Sequence, residues 1–165
     1  MTAKIVTLKA KKLVGFSLEM SYSNNKTRQL FKQFMPLKKT ILNSINTDIF
    51  ALQVYTNFHS LKDITPQTLF TKHALVEVET FKNAPKEMLQ FNLESGLYAV
   101  FIHKGTTEQF YNTWHSIFTE WLPNSEYQLD QRPHFEILPE GYNPNSKDNT
   151  EEVWIPIKKK IIISL

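Results

Sequence analysis

An α+β fold built from two pseudo-symmetric β-α-β-β modules is predicted by three features of this 165-residue chain. A strand pattern, a helix pattern and two further strand patterns occur in that order twice. Two helix-end landmarks answer one another, Phe34-Met35-Pro36 in the first half and Trp121-Leu122-Pro123 in the second. The connections between successive strands are too short to hold crossover helices, so the sheet is expected to pair antiparallel.

Each element follows from local periodicity. Over residues 13–20, Val14, Phe16, Leu18 and Met20 alternate with small or polar residues, which predicts a strand. Asn24-Asn25-Lys26-Thr27 supplies a turn with side chains able to cap a helix. Leu30, Phe31, Phe34, Leu37, Ile41, Leu42 and Ile45 then recur at helical spacing, predicting a helix over 28–45 with a kink or break at Pro36. Strands are expected over 49–55 and 74–79, the latter with Ala74, Val76 and Val78 on one side. The second half opens with a strand over 97–103. Phe110, Trp114, Ile117, Phe118 and Trp121 predict a helix over 107–122, stopped by Leu122-Pro123-Asn124. Residues 135–138 form a strand, 141–150 a loop rich in Gly, Pro, Asn and Ser, and 153–157 a last strand. A single domain over 1–165 follows, with module one about 1–80, module two about 87–165, two main helices and a central groove.

Composition narrows the function classes. Hydrophobic residues at 41% against 21% charged can bury a real core, and 12 Phe, 6 Tyr and 3 Trp give it an aromatic character. A net charge of +3 without a basic cluster argues for no nucleic-acid face. The absence of cysteine excludes disulfides, thiolate metal sites and a cysteine nucleophile. Apolar runs are too short for a signal segment or a membrane span, so a soluble cytoplasmic protein is expected. Neither GxGxxG nor GxxxxGK occurs, nor the GxSxG of a nucleophile elbow. His59, His73, His103, His115 and His134 show no HxH or HxxxH spacing, so no metal and no cofactor are expected. Lys158-Lys159-Lys160 is expected to guard the edge of the last strand.

A resemblance rests on the second half. Leu97-Tyr98-Ala99-Val100-Phe101, Gly105, Trp114, Trp121-Leu122-Pro123, Phe135-Glu136 and Trp154-Ile155-Pro156-Ile157 stand at a characteristic spacing. Residues 95–158 closely resemble the gyrase-inhibitor-like small-molecule-binding family, which includes effector-binding domains of AraC-type and MerR-type transcription regulators. LFKQFMPLKKTILN followed by FALQVY supports the match more loosely in the first half. The resemblance implies paired modules around a ligand groove that takes bulky, often cationic, aromatic compounds. It also implies, for some members, a protein partner such as DNA gyrase, and for a minor branch the hydrolysis of strained electrophiles. Residues 1–12 are too few for a helix-turn-helix, so a stand-alone module, or one acting through a partner, is expected.

Glu136 is the carboxylate the resemblance points to, although an exposed strand glutamate is its plainer reading. Strand alternation separates Glu136 from Phe135 and Ile137, and Trp154 from Val153, Ile155 and Ile157. If aliphatic residues mark the helix-covered face, Glu136 and Trp154 both face the groove. A carboxylate beside rings suits a delocalised cation. Trp114 and Trp121 share one helical stripe, a pattern more often core than ligand box, and the resemblance implies Trp121 in the core and Trp114 reaching the groove, with Phe118 also a candidate there. Tyr55, Tyr98 and Tyr111 each offer a ring and a polar tip, useful in a pocket and equally ordinary at a surface. The expectation is a non-enzymatic binder of lipophilic cationic aromatics, for sensing or sequestration, with no direct nucleic-acid or membrane contact; a homodimer is compatible with it. Two rivals stand beside it: a protein-interaction module acting on gyrase or a regulator, and a hydrolase in which Glu136 activates water and Tyr98 or Tyr111 donates a proton.

Overall fold

A computed structural model describes residues 1–56, 64–143 and 145–163; His59 lies outside them. The elements run β1 (Lys4–Leu8), β2 (Lys11–Met20), α1 (Thr27–Leu37), β3 (Ile49–Val54), β4 (Phe70–Val78), β5 (Leu89–Leu93), β6 (Gly96–Lys104), α2 (Thr107–Ser116), α3 (Leu122–Asn124), β7 (Tyr127–Leu129), β8 (His134–Leu138) and β9 (Thr150–Lys159). A 3-10 turn, Lys38–Thr40, follows α1, and a π turn, Ile117–Trp121, joins α2 to α3. Among the described residues no helix is long and apolar enough to cross a membrane.

The strands form one antiparallel sheet in the order β1-β6-β9-β8-β3-β4-β2-β5, with β7 added alongside β9. The order is symmetric about the central β8–β3 pair. β3-β4-β2 with α1 mirrors β8-β9-β6 with α2, and the register equates Ala51 with Glu136 and Phe16 with Phe101. This is the predicted α+β class, with antiparallel pairing and the β-α-β-β order of elements in each half. The short strands β1, β5 and β7 are additions to it.

Those additions shape the sheet. β5 forms one edge, yet only Glu94 and Ser95 join it to β6, six strand positions away. A flat sheet would set those strands about 29 Å apart at about 4.8 Å per spacing. Three peptide units reach about 11 Å. Lys9 and Ala10 impose the same limit between β1 and β2. The sheet must curl until its edges approach one another. Its concave face then closes over Leu13, Phe50, Leu52, Leu75, Leu93, Tyr98 and Phe135 without help from a helix.

The helices cover the other face. Leu30 and Phe34 of α1 pack on Val14, Phe16, Ala74 and Val76, with Phe34 edge-on to Phe16 at 6.4 Å. Pro36 falls in the last turn of α1, and the chain tightens into the 3-10 turn rather than continuing as a kinked helix to 45. Leu42 accordingly lies 91% exposed. Ile117, Phe118 and Leu122 pack on Ala99, Phe101, Val153 and Ile155. The start of α2 is fixed by Gln109, whose Oε1 accepts the Thr106 N–H at 2.9 Å. The lysine run does not guard an edge, because Lys158 and Lys159 pair with Gln128 and Tyr127 of β7. Lys160 donates to the carbonyls of Pro123 and Ser125, where α3 ends.

Candidate functional site

The β3–β8 pair at the centre of the sheet lies between the areas covered by the two helices. Glu136 pairs with Ala51 on one side and Val153 on the other. Ala51 packs under α1 and Val153 under the α2 region. Residues opposite one another in a sheet share a face, so Glu136 points to the helix side of the sheet, between the areas that α1 and α2 cover.

Three further charged or polar groups meet it there. Lys72 of β4 brings its Nζ to 3.5 Å from Glu136 Oε2, with side chains 10% and 13% exposed. Glu151 of β9 is buried opposite His103 of β6. Its carboxyl is pushed up to about 7, first by burial and then by the charge of Glu136, against the opposing pull of Lys72 and a hydrogen bond from Tyr142. The Tyr142 hydroxyl hydrogen-bonds both Glu151 and Thr107 at the start of α2. His103 is already engaged: Nε2 meets the Thr106 carbonyl at 3.1 Å and Nδ1 the Thr113 hydroxyl at 2.8 Å.

A row of rings crosses the same face from one module to the other. Tyr22 meets Phe70 at 5.2 Å, Phe70 meets Tyr55 at 5.3 Å, and Tyr55 meets His134 at 6.2 Å. His134 stacks on Phe118 at 6.1 Å, Phe118 touches Trp114 at 4.8 Å, and Trp114 stacks on Tyr111 at 6.4 Å. Burial lowers the His134 ring to about 4, so it stays neutral at physiological pH and serves as another flat surface. The Tyr22 and Tyr55 hydroxyls lie 3.2 Å apart, and burial raises both. Two recesses flank the loop between β7 and β8. One, of about 220 Å³, opens at Tyr55, Arg132 and His134; the other, of about 480 Å³, opens at Phe91, Glu94 and Arg132. Neither is lined by Glu136, whose carboxylate sits beneath covering side chains.

Five of the residues singled out by sequence therefore meet on the helix face: Glu136, Tyr55, Trp114, Phe118 and, at the exposed rim, Tyr111. Trp154 and Tyr98 do not. Trp154 stacks on Phe135 at 5.2 Å on the concave face and donates its Nε1–H to Glu152 Oε2 at 2.8 Å. Tyr98 lies edge-on to both rings, under the Arg132 guanidinium, and donates its hydroxyl to the Pro133 carbonyl. The expectation that Trp154 and Glu136 share a face fails for a physical reason. The curled sheet is apolar on both sides, so aliphatic residues do not mark the helix side. The pairing of Glu136 with Tyr98 or Tyr111 as water activator and proton donor fails with it. One hydroxyl is engaged on the far face, and the other belongs to a rim residue 64% exposed.

Lys72, Glu151, Tyr142, Tyr22, Phe70 and His134 are not among the sequence candidates. A signal existed for two of them. Lys72 continues the face of Ala74, Val76 and Val78, and Glu151 that of Val153, Ile155 and Ile157. Extending each predicted strand by one residue pair would have placed a charge on a buried face.

Comparisons with known proteins bear on this geometry. The family model described as GyrI-like small molecule binding domain matches residues 1–158. The transcriptional regulator BrlR of Pseudomonas aeruginosa is 25% identical over 162 residues, 95% of this chain and 56% of BrlR. The chain thus spans little more than half of that regulator. SAV2435 bound to tetraphenylphosphonium shares the fold with a TM-score of 0.65 and 17% identity, over 96% of this chain and 94% of that one. The C-terminal domain of EcmrR does so at 0.69 and 14%, over 96% and 98%. A hydrolase from Listeria innocua does so at 0.61 and 8%, over 94% and 91%. At these identities the solved structures share the fold alone.

Proposed function

The chain belongs to the GyrI-like small-molecule-binding domain family, and we propose that its central cleft takes lipophilic aromatic cations. The carrying observation is the ring row from Tyr22 to Tyr111 beside two carboxylates, the buried Glu151 and the largely covered Glu136, set against Lys72. Flat rings supply dispersion and cation–π attraction, and a desolvated carboxylate selects charge over shape. The tetraphenylphosphonium complex of SAV2435 supports this ligand class. Binding without chemistry is the reading that the small-molecule-binding family and the regulator BrlR support. Regulation enters through BrlR, so the cleft senses or sequesters its ligand rather than converting it.

The test is a titration of tetraphenylphosphonium against triphenylphosphine oxide, a neutral compound with similar rings. The cation is expected to bind at least tenfold more tightly. Glu136→Gln is expected to weaken cation binding tenfold to a hundredfold, about 1.5–3 kcal/mol, and to leave the neutral compound nearly unaffected. Equal affinity for both compounds would remove the electrostatic part of the reading.

A further inference from the structure

Accepting the cation-binding reading, we propose that Glu151 supplies the charge balancing a bound monocation, because Lys72 already holds Glu136, and that binding therefore expels a proton. The cleft is a two-carboxylate site that carries its own ammonium. Lys72 and Glu151 hold equivalent places in the two modules, each two residues before the strand position packed under a helix, Ala74 and Val153. One member of this pair is a cation and the other an acid, and Glu136 stands beside both.

Charge counting gives the consequence. With Lys72 paired to Glu136 and Glu151 protonated, the closed cleft is neutral. A monocation entering that state leaves one uncompensated positive charge in a desolvated place, which is strongly unfavourable. Ionising Glu151 restores two cations against two carboxylates. The groups facing Glu151 are Glu136 on β8, Lys72 on β4, His103 on β6, Tyr142 in the loop before β9 and Thr107 at the start of α2. His103 has both ring nitrogens engaged by the Thr106 carbonyl and the Thr113 hydroxyl, and an imidazole offers no negative charge to balance a ligand cation. With its carboxyl near 7, Glu151 holds a proton to give up at neutral pH. A buried lysine holding the central glutamate makes Lys72 a specificity residue: it sets a threshold that a ligand cation crosses only by recruiting the second acid.

Tetraphenylphosphonium, which has no titrating group, is the probe for the intact chain. Calorimetry at each pH in two buffers that both hold that pH but differ in ionisation enthalpy reads the protons released per ligand. Release of most of one proton is expected at pH 6 and almost none at pH 8.5, with binding about tenfold tighter at pH 8 than at pH 6. Glu151→Gln is expected to weaken binding at pH 8 at least tenfold and to abolish both the release and the pH dependence. Lys72→Met keeps the apolar stem and frees Glu136, so it should bind tightly at both pH values without release. Thermal unfolding of each variant confirms that the fold is kept. Binding at equal strength at pH 6 and 8, without proton release and indifferent to Glu151→Gln, would show that Lys72 swings aside for the ligand, and would overturn the proposal alone. Failure to bind at either pH would overturn the cation reading and this proposal with it.

Discussion

A glutamate 3.5 Å from a lysine in a nearly closed cleft has a structural role whatever it binds. Read as a lone carboxylate, Glu136 should be a burden whose removal is neutral or stabilising. Lys72 reverses that sign. Glu136→Gln leaves a buried ammonium without its partner, so the variant is expected to lose about 1–3 kcal/mol in urea unfolding, while Lys72→Met combined with Glu136→Gln regains most of the loss. A single variant as stable as the parent would show that the lysine relaxes to solvent. The tryptophans give a second check at this scale, since Trp114 lies in the ring row and Trp154 on the opposite face. Ligand-induced quenching of tryptophan fluorescence should persist in Trp154→Phe and largely vanish in Trp114→Phe. Glu136, Trp114 and Phe118 were legible in the sequence because a family spacing and a helical stripe carry them. Lys72 and Glu151 were not, because each lies one residue pair beyond the apolar run that announces its strand.

Elements with sustained periodicity were the readable ones. β2, β3, β6 and both helix starts stand close to their predicted bounds, since a sustained apolar pattern in the sequence runs through each. β1, β5 and β7 span five residues or fewer and draw their stability from distant partners, so no local pattern marks them. The end of α1 was misplaced because Ile41, Leu42 and Ile45 happen to keep helical spacing after Pro36 has ended the α-helix. The π turn at Ile117–Trp121 adds a residue to the α2 repeat, which swings Phe118 toward His134 and Trp121 onto Phe101. Gly15 shows a demand invisible to periodicity. A Cβ there would lie 2.1 Å from the Ala74 carbonyl oxygen, inside the β2–β4 pairing. Gly15→Ala must part the two strands and is expected to destabilise by about 1–3 kcal/mol in chemical unfolding. An unchanged midpoint would mean that the sheet opens there without penalty.

At the scale of the whole molecule, the curl of the sheet makes two separate interiors, and each holds a histidine, His73 buried and His134 partly covered. His134 lies in the ring row on the helix side, and His73 lies on the concave side against Phe91 at 4.9 Å. The β-α-β-β order of elements was legible from repetition, whereas the curl was not, because it depends on β1 meeting β6 and β5 meeting β2 across the full chain. Burial holds both imidazoles at about 4 and the Glu151 carboxyl at about 7. These opposed shifts set a pH profile of stability among the described residues. Between about pH 4.5 and 6.5 the unfolded chain carries two imidazole protons that the fold rejects, while the fold keeps one carboxyl proton that the unfolded chain has lost. The unfolded state therefore binds one proton more, and stability rises with pH by about 1.4 kcal/mol per unit. Through about pH 6.5 to 7 the unfolded imidazoles give up their protons, and near pH 7 the carboxyl proton that the fold keeps offsets what remains on them, so stability levels off there. The expected profile from thermal or urea unfolding is a steep acid limb that reaches a plateau near pH 7. Glu151→Gln removes the opposing carboxyl, so its acid limb should steepen toward about 2.7 kcal/mol per unit. A flat profile between pH 5 and 6.5 would show that the two histidines reach solvent in the folded state, and that neither interior is as closed as the packing indicates.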